Sequence, residues 1–129
     1  MLQCVRLKPF VLIVEDDLDF SQIVEEILVS EAYEVAVAPN GLAGLHTIAK
    51  RRPDVIIVDL MMPMLSGIEM LRHLRRWSKI RRVPTIIATA MPETLRDEED
   101  LPYDLVLAKP FRREVLVDAM LRMLALHMT

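Results

Sequence analysis

The chain has 129 residues, of which 53% are hydrophobic and 27% are charged. This balance excludes a disordered protein and predicts one globular domain over residues 1–129, with a core from about residue 9 to about residue 126. A net charge of −3 argues against direct nucleic-acid binding by this domain. The lone cysteine is typical of a cytoplasmic protein. The chain has no apolar run of the ~18 residues that a membrane span requires, so we expect no membrane insertion.

Five short apolar runs, mostly of β-branched residues, predict β-strands. In chain order they are residues 10–14, 35–37, 55–58, 85–88 and 105–107. Four of these runs lack the apolar–polar alternation of a half-exposed strand, so we expect them to be buried on both faces of a sheet. The second run is shorter and weaker, which is typical of an edge strand.

Helical patterns separate the strands, because apolar residues recur there at the spacing of one helix face. The four clear stripes are Phe20, Ile23, Val24, Ile27 and Leu28; Leu42, Leu45 and Ile48, with Asn40 as a cap; Gly67, Met70, Leu71, Leu74 and Trp77; and Val115, Leu116, Ala119, Met120, Met123 and Leu124. Between Pro92 and Pro102 the chain is acidic and poor in apolar residues, so the fourth of five helices is expected to be short or irregular. The alternation predicts an α/β fold with a doubly wound, five-stranded parallel sheet.

Polar side chains follow four of the predicted strands directly. They are Glu15, Asp16 and Asp17 after the first strand, Asp59 after the third, Thr89 after the fourth and Lys109 after the fifth. Each alone has an ordinary explanation as a helix cap, a turn residue or a solvated lysine. Ligands of parallel sheets bind at the carboxyl ends of the strands, so the joint occurrence predicts one site at this edge.

The chemistry of these residue types is that of phosphoryl transfer. Clustered carboxylates repel one another and favour a cation between them, and Mg²⁺ prefers oxygen ligands of this kind. A metal beside Asp59 would let that carboxylate act as a nucleophile towards an anionic phosphoryl group. Lys109 would neutralise the incoming charge, and Thr89 would donate a hydrogen bond to it.

Four sequence motifs, in this order along the chain, match those of a known protein family. They are VLIVEDD at 11–17, DVIIVDLMMPMLSG at 54–67, PTIIATA at 84–90 and KPF at 109–111. The sequence resembles the receiver domain of two-component response regulators, including chemotaxis receivers, over nearly its whole length. The resemblance implies a flavodoxin-like sheet with strand order 2-1-3-4-5.

The resemblance also implies roles for particular residues. Asp59 would be the phosphoacceptor, with Thr89 and Lys109 completing the catalytic group. The Mg²⁺ site would be formed by Asp16 directly, by Glu15 through water, by Asp59 and by the backbone carbonyl of Met61. In the family the peptide bond before the residue equivalent to Pro110 is cis, and Gly67 matches a glycine at the turn into the third helix, where positive φ is easily reached.

The function implied is a phosphorylation-dependent signalling switch. A histidine kinase or a phosphotransfer protein would supply the phosphoryl group, and a downstream protein or a fused output domain would read the change. Such a chain is not a conventional enzyme, because at most it catalyses its own phosphorylation and dephosphorylation. An aspartyl phosphohydrolase would be expected to carry a second Asp two residues after the nucleophile, where Met61 stands.

Two departures from the family pattern, the degenerate fourth helix and the residue at position 106, keep an alternative open. Val106 stands where the family has an aromatic residue, and Tyr103 is either its substitute or an ordinary surface residue. The alternative is a divergent receiver that serves as a phosphorylation-independent protein-interaction module. The last helix carries a second set of apolar residues: Val117, Leu121, Ala125 and Met128. This set is as consistent with a face for homodimerisation or partner docking as with apolar residues scattered over the surface.

Overall fold

The computed structural model describes residues 7–77 and 83–128, which form one parallel sheet flanked by helices. The strands are β1 (Phe10–Val14), β2 (Glu34–Ala38), β3 (Val55–Val58), β4 (Thr85–Thr89) and β5 (Leu105–Ala108). The α-helices are α1 (Leu18–Ser30), α2 (Gly41–Lys50), α3 (Gly67–Arg76) and α4 (Arg113–Met128). A 3₁₀ helix, Pro92–Asp97, lies between β4 and β5. The five predicted strands are confirmed, each to within one residue at either end.

The strand order is β2-β1-β3-β4-β5, with every pair parallel, as the family resemblance implies. β1, β3 and β4 lie inside the sheet and every residue in them is buried. The expectation that β5 is buried on both faces is wrong. The order places β5 at an edge, where only Leu107 of its four residues is buried.

The core has two layers, one on each face of the sheet. On one face, β1 and β3 pack against α2, α3 and the 3₁₀ helix; the buried residues there include Leu12, Ile56, Ile48, Leu71 and Leu95. On the other face the same strands pack against α1 and α4, through residues that include Ile13, Ile57, Leu28, Leu116 and Met120. Alternate residues of each inner strand thus serve opposite layers, which is the doubly wound arrangement that the sequence predicts.

Side-chain caps fix where three helices begin. Asp17 accepts a hydrogen bond from the Phe20 N–H at the start of α1, and Asn40 accepts one from the Ala43 N–H at the start of α2. Ser66 forms a reciprocal capping box with Glu69 at the start of α3, which satisfies two backbone donors that would otherwise lack partners.

Some residues of the predicted stripes are exposed. Ile23, Leu42 and Val115 are exposed to solvent, because the strip of each helix that contacts the sheet is narrower than the predicted apolar stripe. Trp77 follows α3 as its C-cap and is also exposed. On α4, Leu121 is exposed and Val117 is partly buried, while the side chain of Met128 lies outside the described residues.

The irregular fourth helix is confirmed as the 3₁₀ segment, in which Leu95 is buried. The acidic residues after it contact α3, since Arg72 pairs with Glu98 and Arg75 approaches Asp100 at 3.5 Å. Tyr103 precedes β5 and is exposed. Its side chain lines the same surface cavity as Val106, beside Leu95 of the 3₁₀ helix, so both interpretations of Tyr103, as a substitute for the missing aromatic and as an ordinary surface residue, stay predictions. No helix in the part of the chain described here is long and apolar enough to cross a membrane.

Candidate functional site

The predicted site residues meet at the carboxyl edge of the sheet, and backbone hydrogen bonds hold them there. Sheet pairing continues one residue beyond three of the strands. The Asp59 N–H donates to the Val14 carbonyl at 3.0 Å, and the Glu15 N–H donates to the Ala38 carbonyl at 2.9 Å. The Lys109 N–H donates to the Thr89 carbonyl at 2.9 Å. The first residue after each of these strands therefore has a fixed position, which is why the spacing in the sequence translates into one site.

Three carboxylates of this edge form a compact cluster. Glu15, Asp16 and Asp59 each offer an oxygen within 4.8 Å of the others. Glu15 is 2% exposed and Asp59 is 9% exposed, whereas Asp16 is open to solvent. Met61 lies two residues after Asp59 with an exposed side chain. Oxygen donors with one open side suit a hard cation that keeps some of its water.

Lys109 lies across the cluster and supplies its positive charge. Its Nζ donates to Glu15 Oε1 at 2.6 Å and lies 3.6 Å from Asp59 Oδ2. The side chain is 17% exposed, so water weakens these interactions only in part. The peptide bond between Lys109 and Pro110 is cis, as the resemblance implies.

Burial dominates the titration of Glu15. Loss of water raises the pKa of this carboxyl above its ordinary value, and the negative charge of Asp59 raises it further. The hydrogen bonds from Lys109 and from the Asp17 N–H lower the pKa but do not cancel the effect of burial. A cation bound beside Glu15 would therefore favour the ionised form that burial disfavours.

Thr89 is buried at the end of β4, and its Oγ1 accepts a hydrogen bond from the Met91 N–H at 3.1 Å. This bond shapes the loop that leaves β4. The structure therefore brings the predicted hydroxyl to the same edge as the carboxylates, in contact with the segment that leads into the 3₁₀ helix.

A glycine is required at position 67 because a larger residue would clash with neighbouring backbone atoms. The expectation of a positive φ at this position, which came from the resemblance, is wrong. The glycines of the chain adopt no positive φ, whereas Met64, three residues earlier, has a φ of 67°. A Cβ on Gly67 would lie 2.0 Å from the carbonyl oxygen of Asp59 and 2.9 Å from the Cα of Leu60. The Gly67 N–H also donates to the Leu60 carbonyl at 3.0 Å. The start of α3 is thereby packed directly onto the backbone of the central carboxylate.

One neighbour of the site was missed by the sequence analysis. The ring of Phe20 lies under the Lys109 ammonium, with 4.0 Å between Nζ and the ring centroid. The helical stripe assigned Phe20 to the core. The position of Phe20 in the helical stripe does not show whether its ring packs in the core or contacts a lysine nearly ninety residues away.

Comparisons with known proteins show the family to which the chain is similar. The model of the response regulator receiver domain family matches residues 11–121. Sporulation initiation phosphotransferase F from Bacillus subtilis is 29% identical over 116 residues, which cover 90% of this chain and 94% of that protein. The probable transcriptional regulator ycf29 from Porphyra purpurea is 34% identical over 110 residues, 82% of this chain. The chain spans about half the length of that relative, since the match covers 52% of it.

A solved structure also superimposes on the chain. The receiver domain of the sensor histidine kinase PA1611 from Pseudomonas aeruginosa has a TM-score of 0.85 and 29% identity, covering 92% of this chain and 98% of its own. That crystal structure contains a magnesium ion coordinated in its active-site cleft.

Proposed function

The chain belongs to the response regulator receiver domains of two-component systems, and on that premise we propose that Asp59 is its phosphoacceptor. Receiver domains are signalling switches rather than conventional enzymes. The observation that carries the proposal is the position of Asp59, a nearly buried carboxylate 3.6 Å from the Lys109 ammonium and clustered with Glu15 and Asp16.

The geometry fits attack by a carboxylate oxygen on a phosphoryl group. An Oδ of Asp59 forms a bond to phosphorus while the bond from phosphorus to the donor imidazole nitrogen breaks. The imidazole keeps the electron pair and takes up a proton. Lys109 lies where its ammonium can offset the charge on the phosphoryl oxygens, and we assign Thr89 the hydrogen bond to one of them.

The acidic cluster has the donor set of a magnesium site. We propose that Asp16 and Asp59 hold Mg²⁺ directly, with Glu15 bound through water and the backbone carbonyl of Met61 as a further ligand. The ion would supply positive charge for the phosphoryl oxygens. Backbone hydrogen bonds at the strand ends hold Glu15 and Asp59, so the backbone positions that carry these two carboxylates do not depend on the ion.

Intact mass measured after incubation with a small phosphodonor and Mg²⁺ tests the proposal. We expect one phosphoryl adduct on the wild-type protein and none on Asp59→Asn, because the amide is not a nucleophile. Asp97→Asn, at the end of the 3₁₀ helix, is the matched control and should carry the adduct. A folded wild-type protein that forms no adduct would favour the alternative, a phosphorylation-independent interaction module.

Mg²⁺ affinity should depend on pH through Glu15. The pKa of this carboxyl is raised above the ordinary value of 4.5, so its proton is lost only at a pH above 4.5, and ionisation is what the cation favours. We expect the Kd measured by calorimetry to weaken as pH falls through this window. In Glu15→Gln the decline should be smaller, and an equal decline in both proteins would contradict the assignment.

We propose a histidine kinase or a phosphotransfer protein as the donor, in the cytoplasm. A phosphoryl group on Asp59 adds negative charge at the edge where Thr89 and Met91 set the path of the β4–β5 connection. The surface that changes would be read by a downstream protein, a fused output domain or a second copy of the chain. The regulator relatives, which are about twice as long as the match, support the fused arrangement.

A further inference from the structure

The Lys109 ammonium has three neighbours of two different kinds. Glu15 and Asp59 are carboxylates, and the third neighbour is the ring of Phe20, 4.0 Å below Nζ. A cation over an aromatic face is attracted by the ring quadrupole, and the attraction grows where water is excluded. The side chain of Lys109 is 17% exposed, so most of the water around the ammonium is displaced.

Contacts with residues from two loops of the site fix the position of Phe20. Phe20 lies in the first turn of α1, where its N–H donates to Asp17 Oδ1 at 3.1 Å. Phe111, two residues after Lys109, packs against it with ring planes at 88° and centroids 5.7 Å apart. Phe20 therefore links the loop after β1, which carries Glu15, to the loop after β5, which carries Lys109.

We infer that Phe20 is a positioning residue that keeps the Lys109 ammonium at the site while its carboxylate partners are engaged elsewhere. The inference rests on the proposed function, in which Glu15 and Asp59 interact with the cation and the phosphoryl group. A ring face attracts the ammonium without using a conventional hydrogen-bond acceptor. The N–H donors of Lys109 thus stay available to the phosphoryl oxygens.

The chain offers a matched control for this contact. Phe10, at the start of β1, has the guanidinium of Arg51 at 4.0 Å from its ring centroid. Phe10 pairs with Glu34 at the far end of the sheet, whereas Val14, the last residue of β1, adjoins the site. Phe10 and Phe20 thus each have a cation over the ring, and Phe10 is remote from Asp59, so the same modification at Phe10 serves as a control.

Graded fluorination at position 20 tests the inference, since fluorine withdraws charge from the ring face with little change of shape. Site-specific mono-, di- and trifluorinated phenylalanine should lower the rate of phosphorylation by a small phosphodonor progressively, to about one fifth for the trifluorinated ring. Phe20→Leu should be at least as slow, and Phe20→Tyr should keep most of the wild-type rate. Trifluorination at Phe10 should leave the rate unchanged.

The outcomes separate the inference from the proposed function. Equal rates across the fluorinated series, in proteins that still form the adduct, would reduce Phe20 to a packing residue and overturn the inference. A wild-type protein that forms no adduct would instead overturn the proposed function. Thermal unfolding of each variant identifies any loss of rate that comes from a damaged fold.

Discussion

Gly67→Ala should destabilise the protein by roughly 3 kcal/mol and remove most of its capacity for phosphorylation. The added Cβ would lie 2.0 Å from the Asp59 carbonyl oxygen, 2.8 Å from its carbon and 2.9 Å from the Leu60 Cα. All three are backbone atoms, so no side-chain rotation relieves the contact. Either α3 moves away or the Asp59 carboxylate is displaced. Urea unfolding measures the first consequence, and the mass adduct measures the second.

Gly44→Ala is the control for the glycine itself. Its Cβ would meet the Met70 sulfur and a Val14 methyl group, both at 3.0 Å, and these are side-chain atoms that can shift. Gly44 also lies inside α2, where alanine is favoured over glycine by roughly 0.5–1 kcal/mol. We expect a change within about 1 kcal/mol of wild type and a normal adduct. If Gly67→Ala behaved like Gly44→Ala, the close approach would not constrain the site.

Lys109→Met should slow phosphorylation by about 100-fold, the usual effect of removing one donor that stabilises developing charge. The same change leaves Glu15, 2% exposed, without the ammonium at 2.6 Å. Lys109 lowers the pKa of Glu15, so its loss raises that pKa further. Rates come from intact-mass time courses with a small phosphodonor and Mg²⁺.

The stability of Lys109→Met should depend on pH in a defined direction. A carboxyl whose pKa is higher in the folded than in the unfolded protein favours the folded state below pH 4.5, and this contribution is lost as pH rises through the folded pKa. The loss of stability relative to wild type should therefore grow as pH rises above 4.5. Adding Glu15→Gln should recover the stability without restoring the rate. A double variant as unstable as Lys109→Met would show that the buried charge is not the cause.

The architecture and most of the site follow from local sequence patterns. Apolar runs define strands because each inner strand is buried on both faces, and the residue after a parallel strand lies at the ligand edge. Asp59 and Lys109 could therefore be placed together from their positions after two strands. The exposure of β5 follows from the strand order, which required the family resemblance.

The contacts missed by the sequence analysis depend on exact separations. The space that requires Gly67 is set by how closely α3 approaches the backbone of Asp59, and no periodicity encodes that distance. The pairing of Glu15 with Lys109 and the ring of Phe20 beneath the ammonium join residues about ninety positions apart. Motif spacing brings such residues to one edge but does not give the partner of each atom.

The 3₁₀ segment between β4 and β5 gives the protein a region of low local stability beside Thr89. Its helical hydrogen bonds have poorer geometry than those of an α-helix, and the pairs Arg72–Glu98 and Arg75–Asp100 that tie the following residues to α3 are solvent-exposed. Exposed ion pairs contribute about 0–1 kcal/mol each and weaken with salt. Backbone amides here should exchange with solvent through local opening while the buried strands stay protected. Raising the ionic strength should therefore weaken these two links to α3 and speed amide exchange in this segment.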